Sequence, residues 1–152
     1  MRIADQRRSS VRRAPDRPLP AHAKLALAAE ILGAYLRVRW LMSRHEIRAI
    51  VARVRVSPAG RITAESGSLE TRLVAIRLGG AVRRTLNVLP TDSRCLVQAL
   101  VLSRLLSTRA IPSTLIIGAR TQPEFDAHAW VEHQGQPVLS TQGFDELRLV
   151  EI

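Results

Sequence analysis

Apolar residues recur every three to four positions over parts of this chain and alternate over others. That pattern divides it before any chemistry is considered. Across residues 24–42, Leu25, Ala28, Leu32, Tyr35 and Leu36 fall at helical spacing, which predicts a first helix with this stripe turned inward. Ser43 opens SRHE, with Glu46 three residues on; in such a capping box each side chain satisfies an amide left unpaired at a helix start. A second helix is expected behind it, with Ile47, Ile50, Val51 and Val54 on one face. The Gly, Ser and Pro content of residues 57–68 reads as a loop. A third helix is expected from about Leu69 to Leu86, with Leu73, Ile76 and Leu78 apolar among arginines; NVLPTDS (87–93) breaks it. Next comes CLVQALVLSRLLSTRAI, in which Leu96, Ala99, Leu100, Leu102, Leu105 and Leu106 are spaced for burial. Asp92 or Ser93 suits the start of this helix as a cap, and Pro112 lies just past its end.

After residue 112 the period drops to two. STLIIGA (113–119) reads as a strand, and AHAWVEH places His128, Trp130 and Glu132 on one face and Ala129 and Val131 on the other. Gln134-Gly135 makes a tight turn, PVLS returns as the paired strand, and LRLVEI adds an edge strand. No internal repeat occurs. The order gives an α+β fold: a helical N-terminal half, then a central helix carrying the cysteine, packed against a small antiparallel sheet.

Length and composition sharpen this. A chain of 152 residues suits one domain, and 46% hydrophobic residues supply a core; with 3% aromatics that core must be aliphatic. Residues 1–22 hold six arginines and three prolines with no apolar period and read as a flexible basic tail; residues 23–152 read as a single domain. The apolar run LALAAEILGAYL is interrupted by Glu30 and followed by Arg37 and Arg39, too short and too charged for a bilayer span of ~20 residues. It starts too late for a signal peptide, so a cytoplasmic protein without membrane contact is expected. The net charge of +10 is nearly all arginine, since Lys24 is the only lysine. Such a field attracts acidic peptides, acidic protein surfaces or nucleic acid without choosing among them. The lack of aromatic platforms and of any nucleic-acid-binding motif argues against the last.

Cys95 is the only cysteine, so no internal disulfide forms. It falls in the first turn of the apolar helix, where unpaired backbone N–H groups and the helix dipole favour a thiolate, and Arg94 adds a cation. Taken singly, a free cysteine is more often a small buried hydrophobe, and a strand histidine is more often structural. Together, a helix-start Cys95 and a strand His128 match the logic of thiol nucleophile and imidazole base. A metal site from Cys95, His128 and His133 is disfavoured: there is no second cysteine, and in a regular strand the two histidines face opposite ways.

SRCLVQALVLSRLLSTRAIPSTLIIGA followed by FDAHAWVEHQGQPV resembles the transglutaminase-like leader peptidases of lasso-peptide biosynthesis, over residues 93–138; residues 24–90 fit only as a helical N-terminal half. The resemblance implies a papain-like catalytic core and no cofactor. It implies a cysteine protease that removes the leader from a ribosomally made precursor, so that a partner cyclase can close a macrolactam. By motif, Cys95 would be the nucleophile and His128 the general base and acid. The stand-alone form is implied, with a separate leader-recognition protein presenting the leader, because no fused recognition domain fits before residue 24. The chain departs from the family at one point. About twelve residues past the histidine, where an acid is usual, stands Ser140, which can orient the ring by accepting a hydrogen bond. Asp145 is the alternative third residue, and a Cys–His dyad a further one. Glu132 shares the face of His128 further along the strand and reads as a supporting or substrate-facing residue; Trp130 packs the core or lines the substrate groove. Other readings are an acyl-transfer or degenerate member of the same fold, and a basic module that binds peptide or nucleic acid.

Overall fold

The computed structural model describes residues 20–44, 69–89, 94–120, 125–141 and 148–151. They form helices α1 (Ala21–Arg44), α2 (Leu69–Leu86) and α3 (Arg94–Thr108), and strands β1 (Thr114–Arg120), β2 (Asp126–His133), β3 (Gln136–Pro137) and β4 (Arg148–Glu151). The sheet is antiparallel with order β3-β2-β1-β4, so the last strand takes an edge, as the sequence pattern predicts. This is the α+β architecture expected. α3 lies between the layers: it packs on β2 on one side and on α1 and α2 on the other. Among the described residues, no helix is long and apolar enough to cross a membrane.

The central position of α3 explains its composition. Val97, Ala99, Leu100, Val101, Leu102, Leu105 and Leu106 are all buried, which covers most of its circumference. A helix buried between two layers has no solvent stripe, and its residues read apolar all round. Its end is built by backbone geometry. The Ile111 N–H donates to the Leu106 C=O and the Ala110 N–H to the Ser107 C=O, both at 3.0 Å. Ala110 takes φ 53°, the left-handed position of a Schellman stop, and Pro112 follows. Arg109 then pins this end to α1 through Nη1 and Nη2 to the Glu30 carboxylate, at 2.8 and 2.7 Å. The pair is part-exposed and contributes about 0–1 kcal/mol.

Apart from Leu78, the two outer helices bury other apolar residues than the ones the spacing singles out. α1 buries Ile31, Ala34, Val38 and Leu41, while Leu25 and Leu36 stay 71% and 65% exposed. α2 buries Ala75, Leu78, Gly79, Val82 and Leu86, while Leu73 and Ile76 are exposed. Both helices carry apolar residues on more than one side, so spacing alone leaves two stripes, and the fit to α3 selects one. The buried faces mix large and small residues, Ile31 and Leu86 beside Ala34, Ala75 and Gly79. At Gly79 a Cβ would lie 2.9 Å from the Val138 carbonyl oxygen.

Ser43 is also corrected. It sits inside α1, one residue before its end, and its hydroxyl donates back to the Trp40 C=O at 2.8 Å; Glu46, the other half of the expected capping box, lies outside the described residues. The second helix expected at 47–54, the loop at 57–68, and the cap at Asp92 or Ser93 lie outside the described residues. β3 is shorter than PVLS suggests. After Gln134 and Gly135, both at positive φ as a two-residue hairpin turn requires, it pairs for only two residues. The Val138 N–H still donates to the Val131 C=O at 2.8 Å, and then the chain bends.

Candidate active site

Cys95 is the second residue of α3 and is half-buried. α3 packs its body on β2, and this brings its first turn to the end of the strand where His128 stands. Cys95 and His128 line one cleft of about 280 Å³, together with Arg83, Asn87, Gln98, Ala129, Leu139 and Ser140. The thiol and the imidazole, 33 positions apart, therefore share one solvent-facing space.

His128 is 7% exposed and is held from two sides. Its Nε2 lies 2.8 Å from the carbonyl oxygen of Ser140. A carbonyl only accepts, so Nε2 carries the proton and donates, and in the neutral ring Nδ1 is the basic nitrogen. The Trp130 ring stacks beside it, with centroids 6.1 Å apart and planes 16° from parallel. Trp130 in turn donates its Nε1–H to Glu132 Oε1 at 3.0 Å. Across the sheet His128 pairs with Gly118, which places no side chain beside the ring.

Ser140 thus stands at the third position, and the atom received by His128 is its backbone carbonyl. The bend after β3 produces this contact. Asp145 lies outside the described residues. Trp130 is fully buried and Glu132 is 4% exposed, so both support the histidine from within the core and neither lines the cleft. His133 goes elsewhere: its Nδ1–H donates to the Pro112 C=O at 2.7 Å, on the opposite face. Among the described residues no group of three or more His, Cys, Asp or Glu is placed to hold a metal ion.

Three cleft residues were not singled out from sequence. Asn87 and Gln98 join through Gln98 Nε2–H to Asn87 Oδ1 at 2.8 Å, and Arg83 is one turn before Asn87. A signal existed for one of them: Gln98 is a polar break in an apolar helix, one turn after Cys95 and on its face. Arg83 and Asn87 come from an element whose end meets this cleft only through tertiary packing.

A segment of 53 residues, 35% of the chain, is 45% identical to the Microcin J25-processing protein McjB of Escherichia coli. The match spans 24% of that protein. No solved structure matches the chain significantly. The family model described as the transglutaminase-like superfamily matches residues 32–149, from within α1 to within β4. With a helix-borne cysteine and a strand-borne histidine on one cleft, over a match that takes in most of its length, the chain belongs to the transglutaminase-like superfamily.

Proposed function

We propose that this protein is a cysteine peptidase that removes the leader from a ribosomally synthesised lasso-peptide precursor in the cytoplasm. The observation that carries the reading is the shared cleft: Cys95 at the start of α3 and His128 on β2 both line it, with the His128 Nε2–H committed to the Ser140 carbonyl. The partial likeness to a microcin-processing protein supplies the substrate class.

In this reading the thiol proton of Cys95 passes to His128 Nδ1, and Sγ attacks the carbonyl at the leader–core junction. The first-turn N–H of Cys95 is the natural donor to the oxyanion. The imidazolium gives its proton to the departing amine, so the core leaves with a free N-terminus for a partner cyclase. Water, deprotonated by His128, then splits the leader from the thioester. The Ser140 carbonyl keeps Nε2 protonated and the ring oriented throughout. A carbonyl stabilises the imidazolium less than a carboxylate would, which suits a slow, dedicated processing step. A separate recognition protein presents the leader, and the basic surface favours acidic partners.

The test is mass spectrometry of a precursor incubated with this protein and its recognition partner, wild type against Cys95→Ala. Leader release by wild type alone is expected. Release by both variants sinks the assignment of Cys95. Release by neither, with the leader shown to be bound, sinks the peptidase activity and favours a degenerate binding role.

A further inference from the structure

The part of the cleft lined by Arg83, Asn87 and Gln98 has a chemistry of its own. Asn87 directly follows α2, its N–H bonded to the Arg83 C=O at 3.0 Å, so the two side chains lie one turn apart on the same side. Gln98 is one turn beyond Cys95 on α3. The 2.8 Å bond from Gln98 to Asn87 ties the end of α2 to the start of α3 and fixes this wall relative to the thiol. Arg83 stands at its far end, exposed. No carboxylate lines the cleft among the described residues, and among them Arg83 has no acidic partner. A guanidinium in this setting offers a planar pair of N–H donors to a carboxylate or carbonyl of whatever enters.

We propose that Arg83 is a specificity-determining residue, which binds a carboxylate side chain of the peptide substrate close to the scissile bond. Asn87 and Gln98 hold the wall on which it stands. Arg83 and Cys95 line the same cleft of about 280 Å³, so the acidic residue it binds belongs to the same stretch of peptide as the bond that Cys95 attacks. The net charge of +10 draws acidic chains from a distance; Arg83 fixes the register once they arrive. The proposal rests on the peptidase reading for its substrate class.

Its test reads binding, so that it stands apart from turnover. The full-length Cys95→Ala protein is immobilised, exposed to a randomised decapeptide library at physiological salt, and the retained peptides are sequenced. Asp and Glu should be enriched about threefold or more over Asn and Gln. Adding Arg83→Gln should remove most of that enrichment, whereas Arg39→Gln, an equal change of charge on α1, should leave it. Arg83→Glu should turn the preference towards Lys and Arg. Melting temperatures check that each variant folds, and Arg83→Lys, which keeps the charge, should retain part of the preference. No acidic enrichment, no retained peptide at all, or an equal loss from Arg83→Gln and Arg39→Gln overturns the proposal. A wild-type protein that cleaves nothing overturns the peptidase activity instead and leaves this comparison readable.

Discussion

His128 and His133 occupy the two ends of the same interior stretch of β2, on opposite faces, and each gives one ring nitrogen to a backbone carbonyl. Ser140 receives the first at 2.8 Å and Pro112 the second at 2.7 Å. The difference lies in the other nitrogen. His128 borders a cleft that also holds a thiol. His133 is 1% exposed, and its Nε2 is buried with no hydrogen-bond partner among the described residues. Packing on all sides and the bond to the Pro112 carbonyl hold the His133 ring in the core. A histidine becomes chemistry when the fold orients one nitrogen and opens the other to a reacting group; burial alone makes it structure.

Exchanging the outcomes at the two sites breaks or confirms this contrast. His128→Ala should lower the proposed cleavage by about 10³-fold or more with little change in fold, measured as leader release per folded molecule. If turnover stays within tenfold of wild type, His128 is not the base. His133→Ala should do the reverse: it empties one of the largest fully buried sites and should cost roughly 2–4 kcal/mol in denaturant unfolding, with activity per folded molecule nearly kept. A loss of turnover as deep as that of His128→Ala would erase the distinction between the two.

Gly79→Ala probes what holds the orienting carbonyl. The new methyl would meet the Val138 carbonyl oxygen at 2.9 Å and Cγ1 at 3.0 Å, two residues before Ser140. The crowding should cost about 1–3 kcal/mol, partly offset by about 1 kcal/mol of helix propensity. Displacing the 138–140 bend should also lower the cleavage rate severalfold; an unchanged rate together with lost stability would separate the bend from the site. Ser140→Ala should have the smallest effect, a rate within about threefold, because alanine supplies the same carbonyl. A drop approaching that of His128→Ala would show that the hydroxyl, and not the carbonyl, is what His128 needs.

Legibility varied from one element to the next for physical reasons. α3 was readable because burial on most sides writes itself as a mostly apolar composition, broken inside the helix at Gln98, Ser103 and Arg104. The β2–β3 turn was readable because two consecutive positive φ angles favour few residue pairs, Gln134-Gly135 being an acceptable one. The buried faces of α1 and α2 were not. Leu25, Leu32 and Leu36 form as regular a stripe as Ile31, Ala34, Val38 and Leu41, and only the contour of α3 selects between them. At the site, Cys95 and His128 were legible from residue type and element. Ser140 was legible as a position but not as an atom, since a backbone carbonyl leaves no trace in side-chain identity. Arg83 and Asn87 were silent, because nothing local to α2 marks the end of it that meets the cleft.

The sequence by itself determined the order of helices and strands, the aliphatic core, and the pairing of a helix-start cysteine with a strand histidine, since each follows from local spacing and chemical type. The tertiary structure decided which helix faces turn inward, that Cys95 and His128 line one cleft, and which atom of Ser140 lies against the His128 ring nitrogen. Those depend on close approach between distant segments, as at Gly79 against Val138, and shape complementarity of that kind is a property of the assembled layers that no local pattern encodes.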